Sequence, residues 1–247
     1  MNSSVTLYTA GIDSYILLAY VRKNLDPKTR PVYFNLKHRY AKIEQAFVEK
    51  NEPMCVIDDT MNLGSMERDD AFIPNRNIFM TLMAVSNYSK KVYIGGSLSD
   101  RVCDNNHDVF DYFSNFLTDL EPDSKVVITS PFWECYKTDM ARWYVHSAGS
   151  PMDLLTNTFS CFDPNENLFS VTYETNLVPG DHDTHQCLHC KACFRRNVIL
   201  YSIGIRLPFY NKDVRDGYAK EFRCELAETP RGKTTMRYIN WLRNREE

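Results

Sequence analysis

Two hydrophobic patterns alternate along the first 150 residues. Short apolar runs have the length and Val/Ile/Tyr content of buried strands, and the stretches between them carry apolar residues at helical spacing. Val5-Thr6-Leu7-Tyr8 is the first run, followed by helical spacing from Tyr15 to Tyr20. The pattern then predicts a strand at 31–36, a helix at 40–50 with Ile43, Ala46 and Phe47 on one face, and a short strand at 54–58. A polar loop at 61–73 ends in Pro74-Asn75-Arg76-Asn77, which opens a strongly apolar and hence buried helix over 78–84. A fourth strand at 91–97 ends in glycines; a polar turn at 99–107 leads into an amphipathic helix to about 120. A strand at 125–131 and a helix at 138–146 complete the series. Five strands alternating with helices predict an α/β fold, a doubly wound parallel five-stranded sheet with right-handed crossovers. Ligands of such sheets bind beyond the carboxyl ends of the strands, which places 9–14, 36–38, 58–59, 95–100 and 131–137 on one rim.

The alternation stops near Ser150, so two regions are expected: an α/β domain over 1–149 and a different C-terminal region over 150–247. The second contains bunched cysteines, a strand-like stretch at 168–173, an apolar segment at 198–205 and a charged tail from Asp213. Residues 220–247, with Leu226, Met236, Ile239, Trp241 and Leu242 among many charges, read as one or two surface helices. Arg231, Lys233, Arg237, Arg243 and Arg245 there form either a solvated face or an RNA contact. No internal repeat or low-complexity segment is legible.

Charge narrows the classes. A formal net charge of −3 argues against a general nucleic-acid binder, which carries a basic face or a strongly basic pI. No leader pattern and no apolar run of membrane-spanning length is found, so a cytoplasmic chain without membrane attachment is expected. Of eight cysteines, Cys55, Cys103, Cys135 and Cys224 are scattered, Cys187, Cys190 and Cys193 are bunched, and Cys161 stands apart. That distribution suits reduced thiols with one metal site better than a disulfide framework.

Two stretches carry chemistry. Thr9-Ala10-Gly11-Ile12-Asp13-Ser14 joins the first strand to the first helix. Such a turn aims free N–H groups and the positive end of the helix dipole at one spot and suits a phosphate, with Thr9 and Ser14 adding hydroxyls. The plain alternative is an ordinary strand-to-helix turn. Cys187-Leu188-His189-Cys190-Lys191-Ala192-Cys193 places three thiols at a spacing that converges on one metal. A closed zinc site needs a fourth donor, for which Cys161 leads and His182, His185 and His189 compete. An iron–sulfur cubane uses similar cysteine spacings.

Taken in order, these motifs resemble the 7-cyano-7-deazaguanine synthases, the QueC family of the ATP-pyrophosphatase (PP-loop) superfamily. Residues 9–14 resemble its Ser-Gly-Gly-x-Asp-Ser pyrophosphate loop, with Thr9 for Ser and Ala10 for the first Gly. Pro74-Asn75-Arg76-Asn77 resembles its Pro-Gly-Arg-Asn, with Asn75 for Gly. Pro131 and Lys137 resemble its Pro-x5-Lys segment; Ser160-Cys161-Phe162 and Cys187, Cys190, Cys193, Arg196 resemble its Ser-Cys-Tyr and zinc-ligand blocks. Three segments depart. Its Tyr-Gly-Gln is not legible in Leu36-Lys37-His38, its Tyr-Pro-Asp-Cys survives only as Asn106-His107-Asp108-Val109, and the stretch between Cys161 and Cys187 is longer. Ala10 is expected to crowd the phosphate.

The resemblance implies an adenine nucleotide alpha hydrolase-like sheet domain with a zinc-bearing C-terminal region packed on it. It implies an ATP-dependent ligase that converts 7-carboxy-7-deazaguanine and ammonia to the 7-cyano base through an adenylated carboxylate and an amide. Thr9, Ala10, Gly11, Ile12, Asp13 and Ser14 would bind ATP, with Asp13 and Ser14 also reaching Mg2+. Arg76 and Lys137 would meet anionic substrate or phosphates; Asn77, Asp100 and Asp108 would meet the purine or metal. Cys161, Cys187, Cys190 and Cys193 would hold a structural Zn2+, and the enzyme would be a homodimer. The departures leave three other readings: a relative that adenylates RNA for sulfur transfer, one that passes the activated deazapurine to another amine such as one on a protein, and a zinc-bearing interaction module without catalysis.

Overall fold

A computed structural model of the chain describes residues 4–100, 104–175, 179–222 and 228–245. Cys103, Cys224 and Leu226 lie outside the described residues, as does part of the turn at 99–107. The chain divides into two compact units, 1–135 and 136–247, so the helix expected at 138–146 falls in the second.

The first unit alternates β1 (Val5–Leu7), α1 (Ile12–Asn24), β2 (Arg30–Phe34), α2 (Ala41–Asn51), β3 (Val56–Asp58), α3 (Arg76–Asn87), β4 (Lys91–Tyr93), α4 (His107–Leu120) and β5 (Val127–Thr129). The strands form one parallel sheet in the order β3-β2-β1-β4-β5. The predicted doubly wound fold is thus the observed one. β1 pairs with β2 on one side and β4 on the other, so the order reverses at β1/β4 and the switch point opens at their carboxyl ends. Alternation along each strand sends side chains to both faces. Val5, Leu7, Val32, Phe34, Val92 and Ile128 pack with Met80 and Ala84 of α3 and Phe110 and Leu117 of α4. Tyr8 and Tyr33 turn the other way, against Leu18 of α1 and Val48 of α2.

In the second unit, α5 (Lys137–Ser147), α6 (Pro151–Thr156), α8 (Lys212–Glu221) and α9 (Pro230–Arg243) all pack on α7 (Lys191–Ser202). A two-stranded antiparallel hairpin, β6 (Phe169–Glu174) and β7 (Pro179–Thr184), precedes α7. Ser150 caps α6 reciprocally: its N–H donates to Asp153 Oδ2 at 2.6 Å and its Oγ accepts from the Asp153 N–H at 3.3 Å. Phe194 of α7 centres an aromatic cluster, with ring centroids 4.6 Å from Tyr218 and 5.6 Å from Tyr238. The expectation of surface helices at the C-terminus is corrected here. Tyr238 and Ile239 of α9 are fully buried, so α9 is a core element whose charges occupy its outer face. Among the described residues, no helix is long and apolar enough to cross a membrane.

Candidate active site and metal centre

Helix α1 begins at Ile12, so Asp13 and Ser14, expected in the connecting turn, stand in its first turn, and Gly11 is the N-cap. Gly11 supplies no side-chain cap, and the first N–H groups of a helix have no intrahelical acceptor. The turn is braced internally. Ser14 Oγ accepts from the Thr9 N–H at 3.1 Å and donates to the Gly11 carbonyl at 3.1 Å, and the Gly11 N–H meets Thr9 Oγ1 at 3.4 Å. At the end of β4, a Cβ placed on Gly95 would stand 3.6 Å from Asp13 Cβ and 3.8 Å from the Ser14 nitrogen. The ends of β1 and β4 therefore meet at the switch point, with only a glycine between the second strand end and the helix N-terminus. A Cβ on Gly96 would lie 1.8 Å from the Trp133 ring, so any side chain there would displace the indole.

Three departures from the family motifs share one backbone conformation. Ala10 has φ 52° and Asn75 has φ 54°, each where the motif it resembles has glycine, and Lys37, in the segment where the family's Tyr-Gly-Gln is not legible, has φ 62°. All three are left-handed backbone positions held without glycine. Asn tolerates this region, whereas Ala and Lys carry a cost of about 1–2 kcal/mol. Ala10 is fully buried among Tyr8, Leu18, Tyr33 and Val48, so its methyl group is core packing and does not crowd the phosphate position as the sequence suggested. Relief of strain by Ala10→Gly is offset by loss of a buried methyl worth about 0.8 kcal/mol. We therefore expect Ala10→Gly to leave ATP turnover within about twofold; a gain of tenfold or more would show that the methyl reaches the nucleotide.

The remaining rim residues are distributed as follows. Arg76, the first residue of α3, is half-buried and hydrogen-bonds the Tyr40 phenol, which burial pushes above its ordinary value while Arg76 opposes. Asn77 is held by Asp104, its N–H donating to Oδ2 at 3.1 Å and its Nδ2 to Oδ1 at 3.2 Å. Asp100 Oδ2 accepts from the Ser97 N–H at 2.9 Å and the Ser97 hydroxyl at 3.0 Å, closing the loop after β4. Asp108 is exposed in the first turn of α4. Lys137 opens α5 in the second unit. At the end of β3, burial raises the Asp58 carboxyl but is outweighed by hydrogen bonds from Thr60 and Tyr88, which hold it below the usual range.

Sequence reasoning missed a pair at the end of β2. The His38 side chain is almost fully buried, with Nε2 3.2 Å from Glu44 Oε2 and its ring 3.9 Å from that of Tyr40. Its Nδ1 is buried without a hydrogen-bond partner. A contact six residues apart across a strand-to-helix turn has no periodic signature, and Glu44 reads in sequence as a surface helix charge. An open cleft of about 530 Å³ on the outer side of α2, lined by Lys42, Gln45 and Glu49 among others, includes none of residues 9–14.

In the second unit the Sγ atoms of Cys161, Cys187, Cys190 and Cys193 all lie within 4.8 Å of one another, three of the residues buried. Cys187 and Cys193 Sγ are 3.8 Å apart. A tetrahedral zinc with sulfurs at about 2.3 Å has edges of about 3.8 Å, so the four thiols fit that ion. Backbone N–H groups of Asp163, Cys187, Cys190 and Cys193 point at the sulfurs at 3.3–3.4 Å, as suits thiolates. Leu188, at φ 59°, makes the reversal that brings Cys187 beside Cys190, the N-cap of α7. The fourth thiol of the cluster is that of Cys161, placed where a fourth donor would be needed, and the competing histidines have other partners or positions. His189 bonds Asp163 at 3.2 Å and the Cys187 carbonyl at 2.9 Å; His185 Nδ1 bonds the Asn165 carbonyl at 2.8 Å; His182 lies within β7.

Four thiolates around a divalent ion leave two negative charges, and a buried cation stands beside them. Burial lowers the Arg196 guanidinium to about 10 against the pull of Cys193 and Cys161, so it stays charged at neutral pH. It also donates to the carbonyls of Leu154, Leu155 and Thr158, tying α6 to α7. Cys55 is no ligand: burial, aided by Glu52, pushes its thiol up to about 12.

The family model described as "Queuosine biosynthesis protein QueC" matches residues 41–204. That span contains β3 to β5, Arg76 and all four clustered cysteines. The turn at 9–14 precedes it and α8 and α9 follow it. No curated protein matches the chain.

Proposed function

The chain belongs to the QueC family, ATP-using enzymes of the PP-loop superfamily in queuosine biosynthesis, and from that premise we propose that it converts 7-carboxy-7-deazaguanine, ATP and ammonia to 7-cyano-7-deazaguanine. The observation that carries this reading is the meeting of the α1 N-terminus with Gly95 at the β1/β4 switch point. A carboxylate is a poor electrophile, and transfer of AMP to it with loss of pyrophosphate makes it a good one. The first N–H groups of α1 and the hydroxyls of Thr9 and Ser14 stabilise the departing pyrophosphate. The Asp13 carboxylate and Ser14 hydroxyl are oxygen donors of the kind Mg2+ takes, and they would hold it against the phosphates. Arg76 orients the substrate carboxylate, and Asn77, Asp100 and Asp108 face the purine. Ammonia attacks the adenylate to give the amide, and a second adenylation, at the amide oxygen, permits loss of AMP to the nitrile. The zinc centre is structural. Tyr112, Phe116 and Leu120, exposed at four-residue spacing along α4, support a homodimer.

The test is the reaction itself. Purified protein with ATP, Mg2+, an ammonium salt and 7-carboxy-7-deazaguanine should yield the nitrile with the amide as a transient. An amide end point would show that the second activation is lost, consistent with the His38–Glu44 pair replacing family residues beside the rim. Attack of a supplied peptide amine on the adenylate, giving a peptide-linked deazapurine amide and AMP where ammonia gives no nitrile, would favour the acyl-transfer relative. Turnover with RNA or another carboxylate, and none with this substrate, would defeat the assignment and keep the superfamily.

A further inference from the structure

Among the described residues, strand β6 has one edge closed along its length and one bridged only at Glu174. Along the closed edge it pairs with β7, Val171 opposite His182 and Tyr173 opposite Gly180. On the other edge, among the described residues, the bridge is Glu174 with Arg206: the Glu174 N–H donates to the Arg206 carbonyl at 2.9 Å and the Arg206 N–H to the Glu174 carbonyl at 2.7 Å. Backbone groups in an antiparallel ladder alternate edges residue by residue, so Thr172 and Ser170 aim theirs the same way as Glu174. Continuing that ladder would set Thr172 opposite Pro208 and Ser170 opposite Tyr210. Pro208 has no N–H to give, and its carbonyl accepts from Asn197 Nδ2 at 3.1 Å. The Tyr210 N–H donates to the Leu188 carbonyl at 3.0 Å. The segment that would have covered the edge is thus committed elsewhere.

The edge looks into a cleft of about 320 Å³ walled by Tyr210, Trp241, Arg206 and Arg245. Tyr210 is 65 % exposed. Two guanidiniums face one carboxylate, Glu174, which Arg245 engages, so the cleft keeps a positive balance. β6 itself, Phe-Ser-Val-Thr-Tyr-Glu, carries no Lys or Pro of the kind that blunts an edge. Arg206, Tyr210, Trp241 and Arg245 lie beyond residue 204, where the family match ends.

We propose that this cleft binds an extended acidic segment of a partner protein, added to β6 as a further strand. Backbone hydrogen bonds to Ser170 and Thr172 supply the pairing, the Trp241 and Tyr210 rings take an apolar side chain, and Arg206 takes a carboxylate.

The test uses the full zinc-loaded chain and a fluorescein-labelled pool of octapeptides built from Glu, Val, Thr and Tyr, read by fluorescence anisotropy. Saturable binding is expected, weakened about tenfold or more by Arg206→Glu, by Trp241→Ala and by Thr172→Pro, with zinc content and pyrophosphate release unchanged. Because Thr172→Pro could disturb the hairpin, the same pool N-methylated at alternate residues is measured on the unaltered protein and should also bind about tenfold more weakly. No saturable binding, or binding indifferent to N-methylation, would overturn the proposal. Displacement of the peptides by oligouridylate at lower concentration than by unlabelled peptide would overturn it in favour of single-stranded RNA.

Discussion

Cys190→Ser, or removal of metal by a chelator, is expected to unfold the second unit. The four sulfurs come from three places in the chain: the segment after α6, the segment after β7, and the head of α7, on which α5, α6, α8 and α9 pack. Without metal the unit keeps four clustered thiols, three of the residues buried, beside Arg196, a cation 3 % exposed whose charge then has no thiolate cluster to answer. Binding free energies of structural zinc sites, about 10–16 kcal/mol, rival the whole stability of a domain, about 5–15 kcal/mol. The protein as purified should contain about one zinc per chain and be colourless, which separates zinc from an iron–sulfur cubane. Cys190→Ser should lose the metal and lower the melting temperature of the second unit by more than about 10 °C, whereas Cys55→Ser, outside the cluster, should change neither. A metal-free Cys190→Ser protein of unchanged stability would remove the structural role.

What the sequence made legible follows from how each element is held. The sheet strands are covered on both faces and so are written as continuous apolar runs, and strands joined by helices leave little choice but a parallel doubly wound order. Strand β7, Pro179–Thr184, has Thr184 at its end as its one strand former; backbone pairing to β6 makes it a strand, and no composition rule would find it. Helix α6 did carry a signal, Ser150-Pro151-Met152-Asp153, but at six residues it is too short for its periodicity to register. Helix α9 was misread because Arg231, Lys233, Arg237 and Arg243, on either side of the buried Tyr238, Ile239 and Leu242, lower its average hydrophobicity while the buried stripe remains narrow. At the candidate site the motif residues were readable, whereas the consequences of their departures were not. That Ala10, Lys37 and Asn75 all hold φ above 50° is a backbone property, invisible until the chain is folded. Asp104 and Glu44, which fix Asn77 and His38, are joined to them by tertiary contact rather than by spacing.

Asp13→Asn is expected to cut pyrophosphate release by about 10²-fold or more with the fold intact, the loss typical of a positioned electrostatic group. The substitution keeps the shape of the side chain at the head of α1 and removes the charge that would hold Mg2+ against the phosphates. Its effect should fall on kcat more than on KM, because the charge to be stabilised develops as pyrophosphate departs. Raised Mg2+ should recover part of the rate. Ser14→Ala tests the same turn with a different expectation. Ser14 Oγ accepts the Thr9 N–H at 3.1 Å and is itself half of the brace to the Gly11 carbonyl, so its loss leaves a part-buried donor without its acceptor. That costs about 1–3 kcal/mol of stability in addition to activity. The melting temperature should therefore fall by several degrees in Ser14→Ala and stay put in Asp13→Asn, while pyrophosphate release falls in both. Unchanged turnover and nucleotide affinity in both variants, with only the Ser14→Ala stability loss remaining, would mean that residues 9–14 form a braced strand-to-helix turn and nothing more.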